Sequence, residues 1–100
     1  MEKFGLPEKT INQLLEYFQS KPFIEKVYIY GSRAKGTYQN GSDIDFAIWT
    51  DDHENFLRIW GELDDLSTPY MFDVTDYKLL MNDKLKNSII KDGQLFYQKL

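Results

Sequence analysis

Between Asp43 and Thr50 the chain alternates with a period of two: Ile44, Phe46 and Ile48 fall on one side, Asp43, Asp45 and Ala47 on the other. Only an extended strand sorts side chains this way, and a strand so apolar on one side has to be laid against a core. This stretch therefore requires a sheet with one covered face and places two carboxylates on the opposite surface. With one residue between them, Asp43 and Asp45 have Cα atoms about 6.5 Å apart and project in the same direction.

The rest of the chain supplies the sheet and its cover. Pro7 suits a first helical turn, and Ile11, Leu14, Leu15 and Phe18 recur at i, i+3, i+4 and i+7, which predicts a helix ending near Ser20, before Pro22. Val27 to Tyr30 reads as a buried strand stopped by Gly31. Residues 31–42 hold three glycines and several small polar residues, a loop with room for one helical turn around Arg33 to Lys35. Phe56, Leu57, Ile59, Trp60, Leu63 and Leu66 mark a helix from His53 to Leu66, with Asp51 or Asp52 as N-cap. A strand over 70–75 turns Phe72 and Val74 one way and Asp73 the other. Asn82 caps a last helix carrying Leu85, Ile89 and Ile90 and closing at Gly93, after which Gln94 to Tyr97 forms a short edge strand. The expected fold class is α/β (α+β): a small mixed sheet with helices packed mainly on one face, and residues 1–100 as a single domain.

Composition narrows the function. A 42% apolar, 16% aromatic chain is an ordered globule, and a net charge of −4 argues against general nucleic-acid binding. Without cysteine there are no disulfides, thiolate metal sites or cysteine nucleophiles. The amino-terminal stretch lacks a signal-peptide core and no window is apolar enough to span a membrane, so a soluble, cytoplasmic protein is expected.

Paired carboxylates repel unless a cation lies between them. Oxygen-only ligands suit Mg²⁺ or Mn²⁺, which keep several waters and take further ligands from substrate phosphates. Asp73 offers a third carboxylate, and three such groups can hold two ions about 4 Å apart for in-line displacement at phosphorus. Gly31 and Ser32 directly after a strand, with Gly36 following, let backbone N–H groups approach an anion, while Arg33 can neutralise phosphate charge. The glycine spacing is not that of a P-loop ATPase, because Thr37 stands where the obligatory lysine belongs.

These residues carry a resemblance. Gly31-Ser32, ten intervening residues, then Asp43-Ile44-Asp45 resembles the signature of the DNA polymerase beta nucleotidyltransferase superfamily, and Gly-Ser-Arg-Ala-Lys-Gly followed by Ser-Asp-Ile-Asp is similar to its minimal nucleotidyltransferase (MntA-type) branch. The resemblance implies a polymerase beta palm-like fold. It also implies that Gly31 and Ser32 grip the triphosphate of ATP, that Asp43 and Asp45 ligate metal, and that Asp73 is the third carboxylate, with Asp76 as a nearby rival. Members of that branch pair with a small all-helical HEPN partner in toxin–antitoxin systems, and some transfer AMP to a partner tyrosine. The alternative is a catalytically silent nucleotide-binding or antitoxin protein that neutralises a helical partner by contact. Either way the acceptor surface comes from elsewhere, in a homo- or hetero-oligomer.

Other residues have plainer readings. Ser42 is a turn or cap residue or a nucleotide contact, Lys35 a solvated cation, and His53 a helix-start residue without catalytic duty. Apolar residues around Trp60 occupy more than one stripe, which fits either a partner interface or full burial.

Overall fold

The computed structural model describes residues 3–100; Met1 and Glu2, part of the amino-terminal stretch read above, lie outside the described residues. The elements follow in the order α1 (Glu8–Gln19), β1 (Ile24–Tyr30), α2 (Ser32–Lys35), β2 (Ile44–Thr50), α3 (His53–Asp64), β3 (Phe72–Asp76), a 3₁₀ turn (Tyr77–Leu79), α4 (Asp83–Asp92) and β4 (Gln94–Gln98). Asp52 rather than Asp51 caps α3, its carboxylate accepting from the Asn55 N–H, and Asn82 caps α4 through the Leu85 N–H.

β1 begins three residues earlier than the apolar run suggested. Ile24, Val27 and Ile29 are all fully buried although their spacing breaks the period of two, because the β1–β2 register shifts between Ile24 and Lys26. One extra residue turns Val27 back to the core side and hides the strand's first half from periodicity.

The sheet order is β3-β2-β1-β4. β2 and β3 run parallel and the other pairs antiparallel, which makes the sheet mixed. A parallel pair needs a crossover, and α3 provides it between β2 and β3. Helices α1 and α3 cover one face: Leu14 and Phe18 from α1 and Ile59 and Leu63 from α3 meet Ile44, Phe46, Ile48, Val27 and Ile29. Phe18 stands edge-on to Phe46 at 5.2 Å, and burying a ring of this size contributes about 1.5–3 kcal/mol. Tyr17 Oη donates to Glu62 Oε1 at 2.8 Å and ties α1 to α3.

The opposite face is only partly covered. Ile89 of α4 lies against Tyr30 and Ala47, with Tyr28, Trp49 and Tyr77 around them, and this smaller cluster leaves the β2–β3 end that carries Asp45 and Asp73 uncovered. On α3, Ile59 and Leu63 are buried while Leu57 is 80% and Trp60 44% exposed, so full burial of every apolar residue on this helix is ruled out. Trp60 Nε1 instead donates to the Phe72 carbonyl at 2.8 Å, shielding edge strand β3. Among the described residues no helix is long and apolar enough to cross a membrane.

Candidate active site

Strand register brings the acidic residues together. Asp45 sits directly opposite Asp73 in the parallel β2–β3 ladder, where neighbouring strands lie about 4.8 Å apart, and Tyr30 sits opposite Asp45 across β1. Tyr30, Asp45 and Asp73 thus form one row across three strands. Asp43 lies one residue before β2, at the end of the loop, exposed like Asp73, whereas Asp45 is half-buried. The rival Asp76 pairs with buried Ile48, on the face away from the row, and its Oδ2 meets His53 Nδ1 at 2.5 Å. His53 accordingly stands apart from the acidic row.

Burial first, then the neighbouring Asp73 and Asp43 carboxylates, push the Asp45 carboxyl up to about 6, with Arg33 pulling in the opposite direction. Asp45 is therefore ionised at neutral pH against its neighbours' charge. Among the described residues no group of three or more His, Cys, Asp or Glu side chains is gathered so that it could hold a metal ion. What is present is an incomplete all-oxygen set, two carboxylates side by side and a third at the loop end. That chemistry fits Mg²⁺ or Mn²⁺, which complete their shells with water and substrate oxygens.

The glycine turn abuts this set. Gly31 adopts φ 73° and ψ −152°, and a Cβ there would overlap Asp45 Oδ2. The absence of a side chain is what lets the turn lie against the carboxylate. Ser32 then opens α2, whose first N–H groups have no acceptor within the helix, as at any helix start. One turn later Gly36 ends it in the left-handed conformation at φ 81°. Open space surrounds Gly36, so its role is to stop the helix rather than to make room for a ligand. Lys35 pairs loosely with Asp92 of α4 at 3.8 Å.

Arg33 and Ser42 make contacts within the chain. Arg33 was expected to face phosphate, but it is only 3% exposed, with Nε and Nη2 donating to the Ser42 carbonyl at 3.1 and 2.8 Å and Nη1 to the Phe4 carbonyl at 3.0 Å. Each helical residue turns the chain by about 100°, so with Ser32 at the helix mouth its neighbour points inward. There the guanidinium lies between the Tyr38 and Tyr70 rings, lining a cleft of about 270 Å³ with Gly5, Asn40 and Gly41. Its work is to pin the 36–42 loop to the amino-terminal segment. The Ser42 hydroxyl accepts from the Gln39 N–H at 2.8 Å, the turn reading of that residue.

Two residues passed over in the sequence join the site. Tyr30 Oη and Thr75 Oγ1 are 3.0 Å apart, reaching across β2 beside the carboxylates. Burial, opposed by the Thr75 hydrogen bond and aided by Asp73 and Asp45, raises the Tyr30 pKa. By sequence alone Tyr30 reads as part of a buried strand, because it closes an apolar run. The parity of its pairing with Asp45 is the signal that would have found it, and that needs the register.

Comparison with known proteins bears on the same residues. The model of the family "Polymerase beta, Nucleotidyltransferase" matches residues 12–99. "Putative protein adenylyltransferase MJ0604" of Methanocaldococcus jannaschii is 28% identical over 95 residues, covering 93% of this chain and 81% of its own. A crystal structure of a toxin-antitoxin with AMP-PNP superposes with a TM-score of 0.63 at 24% identity, covering 94% of this chain and 75% of that one. The toxin-antitoxin MntA-HepT gives 0.60 at 17% identity, covering 93% and 74%. Those two likenesses speak to the fold, which is the nucleotidyltransferase fold. With the glycine–serine turn against Asp45 and the family model spanning most of its length, this chain belongs to the polymerase beta nucleotidyltransferase family.

Proposed function

We propose that the chain transfers a nucleoside monophosphate, AMP from ATP, to a hydroxyl of a partner protein, a tyrosine of a HEPN-type helical protein, and thereby acts as an antitoxin. The observation that carries this reading is the contact between Gly31 and Asp45 with Asp73 alongside: an anion cradle and an acidic row share one end of the sheet. The name of the archaeal relative and the toxin–antitoxin fold neighbours support the same reading.

In this reading Gly31 and Ser32 hold the triphosphate through backbone N–H groups and the Ser32 hydroxyl. Asp43, Asp45 and Asp73 are the residues that would hold Mg²⁺ or Mn²⁺, one or two ions, which when bound neutralise phosphate charge and polarise the reacting oxygens. Asp73, the exposed carboxylate, takes the proton of the acceptor hydroxyl as its oxygen attacks the α-phosphorus. A bond forms from the acceptor oxygen to phosphorus, the bond to the bridging oxygen of the β-phosphate breaks, and pyrophosphate leaves. Asp73 is exposed, which leaves it open to a hydroxyl brought by a partner.

The test is to incubate the protein with α-labelled ATP, Mg²⁺ and the product of the adjacent gene. Label should move to that protein with the wild type and not with Asp45→Ala; no transfer by the wild type, or equal transfer by the variant, would overturn the proposal.

A second reading, neutralisation by contact alone, is favoured by exposed apolar side chains around β3, Leu57, Trp60 and Met71 at 80%, 44% and 71%. If the double variant Asp43→Asn, Asp45→Asn still binds and silences the partner with no AMP transferred, contact suffices.

A further inference from the structure

Asp43 stands just outside the sheet, so its place has to be fixed from both sides. On the carboxyl side Ile44 opens β2, its N–H donating to the Met71 carbonyl at 2.9 Å. On the amino side lie residues 35–41, all exposed, with left-handed glycines at 36 and 41 where the backbone turns freely. From Tyr38 to Ser42 the backbone bonds to itself, the Ser42 N–H donating to the Gln39 carbonyl at 3.0 Å. Among the described residues, the hydrogen bonds that join this turn to the rest of the chain come from Arg33.

Arg33 Nε and Nη2 both donate to the Ser42 carbonyl, at 3.1 and 2.8 Å, while Nη1 donates to the Phe4 carbonyl at 3.0 Å. A peptide unit is planar, so the Ser42 carbonyl and the Cα of Asp43 move as one body. Arg33 is also the residue after Ser32, within the single turn of α2. One side chain therefore spans from the helix that opens the proposed triphosphate cradle to the peptide that carries Asp43. The Tyr38 and Tyr70 rings flank its guanidinium at 5.4 and 5.1 Å, and Tyr70 leads into β3, the strand of Asp73. Three donors in one rigid plane specify an orientation, which an ammonium on a flexible stem does not.

We propose that Arg33 is a positioning residue: its two-pronged bond to the Ser42 carbonyl holds Asp43 at a set distance from Ser32, so that carboxylate and cradle are in place before either is occupied. The inference deepens the transferase reading and rests on it for the roles of Ser32 and Asp43. Misplacing such a group by about 1 Å costs on the order of 10²-fold in rate, and a loop hinged on two glycines allows displacements larger than that.

The first readout is the backbone amide order parameter of Asp43, from ¹⁵N relaxation in the metal-free, nucleotide-free protein. In the wild type it should be about 0.85, as at Phe46 and Ile48 inside β2, although Asp43 lies outside the sheet. In Arg33→Lys, which keeps the charge and loses the fork, and in Arg33→Ala it should fall below about 0.6 with Phe46 and Ile48 unchanged. Methylguanidinium entering the cleft that Arg33 lines should restore it in Arg33→Ala, where methylammonium should not. The second readout is transfer to the partner protein, which should fall about 10–100-fold in both variants and return with methylguanidinium. A wild-type value below about 0.6, or an unmoved value in both variants, overturns the proposal whatever happens to transfer. A lowered value with undiminished transfer overturns it as well. If neither variant folds, Tyr38→Leu takes their place, stripping one flanking ring from the guanidinium at a position 39% exposed; an Asp43 amide as rigid as in the wild type then overturns the proposal. A lowered value together with a wild type that transfers nothing overturns the transferase reading and leaves the hold of Arg33 on Asp43 standing.

Discussion

In the proposed reading, Asp45 is where function and stability conflict most directly. Its carboxyl titrates at about 6 in the folded chain against an ordinary 3.8, so between those values the folded state holds a proton that the unfolded state has released. Its contribution to stability is greatest below the unfolded value and declines as pH rises through the folded one. Because the group is partly exposed, solvent screens part of the effect. We expect metal-free Asp45→Asn to melt higher than the wild type at pH 7.5 and at a similar temperature at pH 4, while losing transfer. Scanning calorimetry across that range checks it, and a wild type as stable as the variant at pH 7.5 would remove the electrostatic strain from the account. Stability given up at a charged cluster is what a site reserved for a cation should show.

At the scale of elements, the turn from β1 into α2 sets the distance between the proposed anion cradle and β2. Gly31 is held where other residues are strained, and its missing side chain is filled by Asp45, so Gly31→Ala should cost about 1–3 kcal/mol in urea unfolding and weaken nucleotide binding. Gly36→Asn, in a left-handed conformation that asparagine tolerates and in open space, should be close to neutral; a Gly31→Ala as neutral as Gly36→Asn would remove the Asp45 contact and the backbone strain from the account. The contrast also marks what the sequence could reveal. Alternation in β2 told which face each aspartate occupies, and helix caps at Asp52 and Asn82 are local chemistry, readable from a few neighbouring residues. Which strand lies beside which is decided by packing at long range. The parallel pairing of Asp45 with Asp73, the inward turn of Arg33 onto Phe4 and Ser42, and the Tyr30–Thr75 bond all join residues far apart in sequence or dependent on register. The bulge in β1 erased the periodicity on which an earlier strand start would have rested.

Taken whole, the molecule is acidic, with a net charge of −4 and its acidic row on an uncovered part of the sheet. A nucleoside triphosphate is itself highly anionic, so if the glycine turn receives it as proposed, the acidic row repels the free nucleotide. Divalent cation and nucleotide should consequently bind as a pair, each relieving the repulsion that excludes the other, which is a coupling between two ligands. Thermal unfolding at pH 7.5 measures it: Mg²⁺ alone or a nonhydrolysable ATP analogue alone should move the melting temperature little. Together, at about a hundred times the dissociation constant, they should add about 2.7 kcal/mol, or about 10–20 °C for a domain of this size. The double variant Asp43→Asn, Asp45→Asn should admit the nucleotide without the cation and lose the joint effect. A wild type that binds nucleotide equally well with and without the cation would mean that the acidic row does not face the triphosphate, and the assignment of the site to this end of the sheet would fall with it.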